Sequence, residues 1–138
     1  MKAMIDTNVI LDCLLKRTPF SEDARRIIDL AEEREYTGLV NASSVTDIYY
    51  ILRKAIGRER AIEAVRTLLL ILDVVDVTKS DLLSAMEINM PDYEDALVAG
   101  CAKRAKAEYI ITRNGKDYIS SPVPPILPDK FLNRFFPD

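Results

Sequence analysis

The chain has 138 residues, 49% of them hydrophobic and 30% charged, with a formal net charge of −3 and no histidine. That size and balance suit one soluble domain with a real core, and residues 1–138 are expected to form a single domain. The acidic balance argues against a general nucleic-acid coat, and the missing histidine leaves any chemistry to carboxylates.

Cys13 and Cys101 have no metal-ligand spacing and are too few for a disulfide framework, so both read as buried thiols in a reducing compartment. The apolar stretch Met1–Ile5 is too short for a secretory leader and is interrupted by Asp6. The longest aliphatic run, Leu68–Leu72, stops at Asp73 and cannot span a bilayer. A cytoplasmic protein with no membrane association is expected.

Ala3–Ile5 reads as a short buried strand closed by Asp6. Thr7 or Asn8 can cap a following helix that carries Val9, Leu11, Leu14 and Leu15 and breaks at Pro19. Ser21 is placed to cap a second helix, in which Ala24, Ile27, Ile28 and Ala31 recur at helical spacing. Tyr36–Val40 has the composition of a strand. Ser43 or Ser44 then caps a helix with the stripe Val45, Ile48, Tyr49 and Leu52, ended by Gly57. A further helix points Ala61, Ile62, Val65, Leu68 and Leu69 inward.

Asp73–Val77 gives a third strand, and Ser80 or Asp81 starts a helix running to about Ile88. Pro91 opens another, with Asp92, Glu94 and Asp95 in its first turn, where acids suit the positive end of the helix dipole. Tyr109–Thr112 is a fourth strand, followed by the loop Arg113–Lys116. The proline-rich segment Ser120–Pro128 is extended, with an edge strand at Pro125–Leu127, and Lys130–Phe136 is a closing helix. Strands alternating with helices imply an α/β fold, a mainly parallel central sheet covered on both faces.

Asp6, Asp47, Asp95 and Asp117 stand out. In an open parallel sheet, ligands gather beyond the carboxyl ends of the strands. Asp6 and the Asn114–Asp117 loop follow strands, while Asp47 and Asp95 lie near helix starts. Taken singly, each acid reads as a cap, a turn former or an exposed helix residue. Taken together, they suggest an all-oxygen site for a hard cation, Mg²⁺ or Mn²⁺, which would relieve the repulsion among them.

Three local patterns go further. Met4-Ile5-Asp6-Thr7-Asn8-Val9-Ile10-Leu11-Asp12 resembles the opening of PIN-domain ribonucleases, the fold of VapC-type toxins. Asp95-Ala96-Leu97-Val98-Ala99 resembles their third-acid helix, and Tyr109 through Tyr118 resembles the strand and loop that carry their fourth polar ligand. The tail from Pro125 to Leu132 is similar as well, so the resemblance spans essentially the whole chain in order.

The resemblance implies a three-layer α/β/α sandwich and metal-dependent hydrolysis of RNA phosphodiester bonds. Asp6, Asp47, Asp95 and Asp117 would be the catalytic and metal-binding residues, with Asp6 and Asp95 as direct ligands. Asn8, Ser43, Asp92, Thr112 and Asn114 would be supporting or alternative ligands, and Arg113 and Lys116 candidate contacts to the RNA. It also implies a small antitoxin as partner and a homodimer. One departure from the family pattern is Asp47, where most relatives place a glutamate. With Asn114 also standing where many relatives place an acid, a PIN-like RNA- or protein-binding module with weak or no catalysis is the alternative. A phosphoacceptor receiver domain would want an acidic pair after its first strand, where only Asp6 stands. The four scattered glycines do not make a dinucleotide-binding loop.

Overall fold

A computed structural model describes all residues, Met1–Asp138. Five strands form one sheet, β1 (Lys2–Ile5), β2 (Thr37–Asn41), β3 (Asp73–Val75), β4 (Tyr109–Ile111) and β5 (Pro125–Ile126), in the order β3-β2-β1-β4-β5. Every neighbouring pair is parallel. The helices are α1 (Thr7–Leu14), α2 (Ser21–Glu32), α3 (Ala42–Ile56), α4 (Arg58–Ile71), α5 (Lys79–Ala85), α6 (Tyr93–Arg104) and α7 (Pro128–Phe135). A 3₁₀ turn covers Gly115–Tyr118.

The first strand shows why the sheet is buried on both sides. Ala3, Met4 and Ile5 are all buried, because successive side chains point to opposite faces and both faces are covered. Ala3 and Ile5 enter one core with Val9, Ile27, Ile48, Leu52, Leu68 and Phe131. Met4 enters a second core with Leu39, Val98, Cys101, Ile110 and Tyr118. Helices α1 to α4 and α7 therefore cover one face, and α5 and α6 the other, giving the three-layer α/β/α arrangement. Each fully buried aliphatic side chain contributes about 1.5–3 kcal/mol. No helix is long and apolar enough to cross a membrane.

The chain builds outward from β1 through β2 to β3, then returns to place β4 on the other side of β1. The order reverses between β1 and β4, and a crevice opens there at the carboxyl ends. Ile5 pairs with Ile111, so Asp6 and Thr112 leave the sheet side by side, and the Asp6 N–H donates to the Ile111 carbonyl at 2.9 Å.

Several boundaries differ from the sequence expectations. The cap of α1 is Asp6 itself, whose carboxylate accepts from the Thr7 N–H, rather than Thr7 or Asn8. Helix α3 starts directly after β2, which puts Ser43 and Ser44 inside its first turn and leaves Asn41 at the cap position. Ser21 is likewise the first residue of α2, behind Phe20. Helix α5 begins earlier than Ser80 because Thr78 and Asp81 form a reciprocal capping box. It also ends at Ala85, where the Met86, Glu87 and Ile88 N–H groups bond back three residues and tighten the turn.

Candidate active site at the sheet reversal

Asp6 follows β1 directly, at the sheet reversal. Its Oδ1 accepts the Thr7 N–H at 2.8 Å. Its Oδ2 accepts the Thr112 hydroxyl at 2.8 Å and the Asn8 amide at 3.3 Å. A carboxylate has about four acceptor sites, so these donors orient Asp6 and leave room for one further ligand. Thr112 is fully buried, and its oxygen also accepts the Asn114 N–H at 3.0 Å. The same hydroxyl thus ties the loop after β4 to the carboxylate after β1.

Asp95 comes from the first turn of α6. Its N–H is capped by Asp92 Oδ1 at 2.9 Å, and its own Oδ1 accepts the Tyr118 hydroxyl at 3.2 Å. Tyr118 is almost wholly buried and anchors the 3₁₀ turn that carries Asp117. Pro91, Asp92, Asp95 and Asp117 line a small cleft of about 180 Å³.

Two acids are perturbed here, Asp95 in this cleft and Asp6 at the end of β1. Burial raises the pKa of Asp6 above the usual carboxylate range, against the pull of the Thr112 and Thr7 hydrogen bonds, and the Asp117 charge raises it further. Asp95 is pushed up to about 6, first by burial and then by the charges of Asp6, Asp92 and Asp117. The Tyr118 phenol is raised by burial and by the Asp6 and Asp95 charges beside it. A site that raises the proton affinity of two carboxylates is one where a cation can replace the protons.

The charges of Asp6, Asp92 and Asp117 all act on Asp95, and that of Asp117 on Asp6, with Asn8 and Thr112 bonded to Asp6. Asp47 stands apart from them. It is exposed on α3, and is not among the charges that act on Asp6 or Asp95. Ser43 accepts the Asn41 amide at 2.6 Å. The Asn114 side chain is exposed, as is Lys116. Arg113 is half-buried, and its guanidinium is engaged by Asp12 at 2.6 and 3.2 Å. No three acid or thiol side chains converge closely enough to enclose a cation by themselves. The donor set is all oxygen, which fits a hard cation held by one or two carboxylates and completed by water.

Two contributors were not anticipated from the sequence. Tyr118 follows Asp117 directly, and an aromatic beside a loop acid is a signal of an anchored turn. Asp12 lies four residues after Asn8 within an apolar helix, and a buried acid there requires a cation.

Comparison with known proteins places the chain. A PIN domain model matches residues 2–116, and the chain belongs to the PIN domain family. Its fold is similar to that in the crystal structure of VapBC2 from Rickettsia felis bound to a promoter DNA fragment (TM-score 0.72, 16% identity, covering 92% of this chain and 98% of that one). It is similar also to DNA-bound VapBC from Salmonella typhimurium (TM-score 0.71, 20% identity, 93% and 98% covered). A third similar structure is Mycobacterium tuberculosis VapC20, described as a sarcin–ricin loop cleaving toxin (TM-score 0.64, 14% identity, 78% and 86% covered). At these identities the likeness is one of fold. Comparison with curated protein sequences gives no match.

Proposed function

We propose that this protein is an Mg²⁺- or Mn²⁺-dependent endoribonuclease and the toxin of a toxin–antitoxin pair. The observation that carries the reading is the placement of Asp6, held by Thr112 and Asn8 at the sheet reversal, where its charge acts on Asp95, itself held by Tyr118. Membership of the PIN domain family supports it, as does the fold shared with VapC20.

Asp6 and Asp95 would hold the cation, with Asp117 beside them and Asp92 capping the helix that presents Asp95. Asp47, from its exposed position, would act through water or at the edge of the bound RNA. The cation would supply charge to offset the phosphate and acidify a water for attack. Thr112 and Asn8 fix the Asp6 oxygens, and Tyr118 fixes Asp95. With no histidine in the chain, protons pass to carboxylate or solvent. Lys116, exposed on the loop beside Asp117, is available to a phosphate. Asn114 and Ser43 flank these groups. A small antitoxin covering the cleft, a homodimer and a cytoplasmic location belong to the same reading.

The test is cleavage of a short labelled RNA with Mn²⁺ or Mg²⁺, against chelator, by wild type, Asp6→Asn and Asp95→Asn. Metal-dependent cleavage should fall in both variants by more than the roughly 10–100-fold that loss of a supporting partner costs. The exposure of Asp47 and the lack of a three-acid cage favour a second reading, a binding module with weak or no catalysis. RNA binding without metal-dependent cleavage by clean wild-type protein would establish that one instead.

A further inference from the structure

We propose that Arg113 is a positioning residue, clamped by Asn8 and Asp12 of α1 so that the loop bearing Asn114 and Asp117 is set against Asp6. This rests on the nuclease reading for what the loop serves. It goes beyond that reading by giving the guanidinium an intramolecular task in place of a phosphate contact.

Asp12 is 1% exposed, in the middle of an apolar helix. Its Oδ2 takes Arg113 Nε at 2.6 Å and its Oδ1 takes Nη2 at 3.2 Å, a two-point fork. Arg17 approaches the same carboxylate only at 3.8 Å and is exposed. The Arg113 guanidinium also lies over the Phe20 ring, 4.0 Å from its centroid. Freeing Arg113 for RNA would strand a buried carboxylate, which is strongly unfavourable.

The backbone of the same residue is held too. The Arg113 N–H donates to Asn8 Oδ1 at 3.4 Å, while the Asn8 amide donates to Asp6 Oδ2. Asn8 and Asp12 are four apart, on one face of α1. One helix face therefore grips Arg113 by main chain and side chain, and Asp6 caps that helix. The next residue, Asn114, is fixed by its N–H to Thr112. The loop leaves β4 on a set path before it turns at Gly115–Tyr118. An arginine fork suits this role, and a lysine would not reproduce it.

The experiment compares Arg113→Lys, Arg113→Gln, Asp12→Asn and the double variant Asp12→Asn/Arg113→Gln. Three quantities are read: kcat and KM on a short RNA with Mn²⁺, Mn²⁺ affinity by calorimetry, and hydrogen exchange of residues 113–118 without metal. Each single variant should lose about 10–100-fold in kcat or Mn²⁺ affinity, the usual cost of removing a supporting partner. KM should stay within about twofold and keep its salt dependence, and the double variant should cost no more than the worse single. Exchange should rise in 113–118 while α2 and α7 stay protected. A raised KM with weaker salt dependence and unchanged kcat would make Arg113 a phosphate contact and overturn the proposal. So would additive losses or unchanged exchange. Should the Gln variant fail to fold, Arg113→Lys, which keeps the charge but not the fork, decides on the same readouts. A wild type without cleavage would defeat the nuclease reading alone, and exchange and Mn²⁺ binding would still decide the clamp.

Discussion

Asp95→Asn should make the metal-free protein more stable at neutral pH while removing its response to metal. The Asp95 carboxyl titrates near 3.8 when unperturbed and at about 6 in the fold. At ~1.4 kcal/mol per pH unit that difference is about 3 kcal/mol, and solvent screening of this partly exposed group reduces it to about 1 kcal/mol. The folded pKa is the higher one, so the stabilising contribution is complete below about pH 4. It is lost as pH rises through about 6. Above that, the ionised side chain opposes folding. Asparagine can still accept the Tyr118 hydroxyl through its carbonyl but cannot ionise. Its loss of charge at the start of α6 costs about 0.3–1 kcal/mol, which makes the change between two pH values a better readout than either alone.

Thermal unfolding in chelator at pH 4.5 and pH 7.5 supplies that comparison. Between the two, the stability of Asp95→Asn relative to wild type should rise by about 1 kcal/mol, some 3 °C in Tm for a chain of this size. Adding Mn²⁺ at pH 7.5 should raise the Tm of wild type by mass action and leave the variant nearly unchanged. A relative stability that does not move with pH, together with an equal Mn²⁺ response in both proteins, would refute the reasoning.

Tyr118→Phe removes the hydroxyl that lowers the Asp95 pKa, so the acid limb of the pH–rate profile should move to higher pH. An unmoved limb would separate Tyr118 from the reactive carboxylate. Gly38→Ala should cost about 1–3 kcal/mol in urea unfolding, because the new Cβ would stand 2.7 Å from Leu72 Cδ2 and 2.9 Å from Ala31 Cβ. Thr78→Ala opens the capping box of α5 and should cost about 1 kcal/mol without altering metal binding.

Hydrophobic periodicity carried most of the fold. Ala24, Ile27, Ile28 and Ala31 mark the buried face of α2, and the apolar run before Asp6 marks a strand covered on both faces. Helix starts were harder to read, because a serine near a boundary caps only if the preceding chain leaves it outside the first turn. At α3 the strand runs straight into the helix, so Ser43 and Ser44 fall inside. The sequence points to Asp6, Asp95 and Asp117 because each adjoins the end or start of an element, and the fold sets the Asp6 and Asp117 charges against Asp95. Asp47 shares that sequence signal, yet it lies on an exposed part of its helix, and one-dimensional spacing does not distinguish the two settings. Arg113 shows the same limit. A basic residue beside a proposed phosphate site suggests a contact, and the sequence shows no sign that its guanidinium is also hydrogen-bonded to the buried Asp12.

The most direct measurement is anomalous diffraction at the manganese edge from crystals soaked in Mn²⁺, collected on wild type and Asp95→Asn. The expected result is a peak at bonding distance from carboxylate oxygens of Asp6 and Asp95 in wild type, absent from the variant. A cleft without a peak, or the same peak in both proteins, would contradict a cation site built on these two carboxylates.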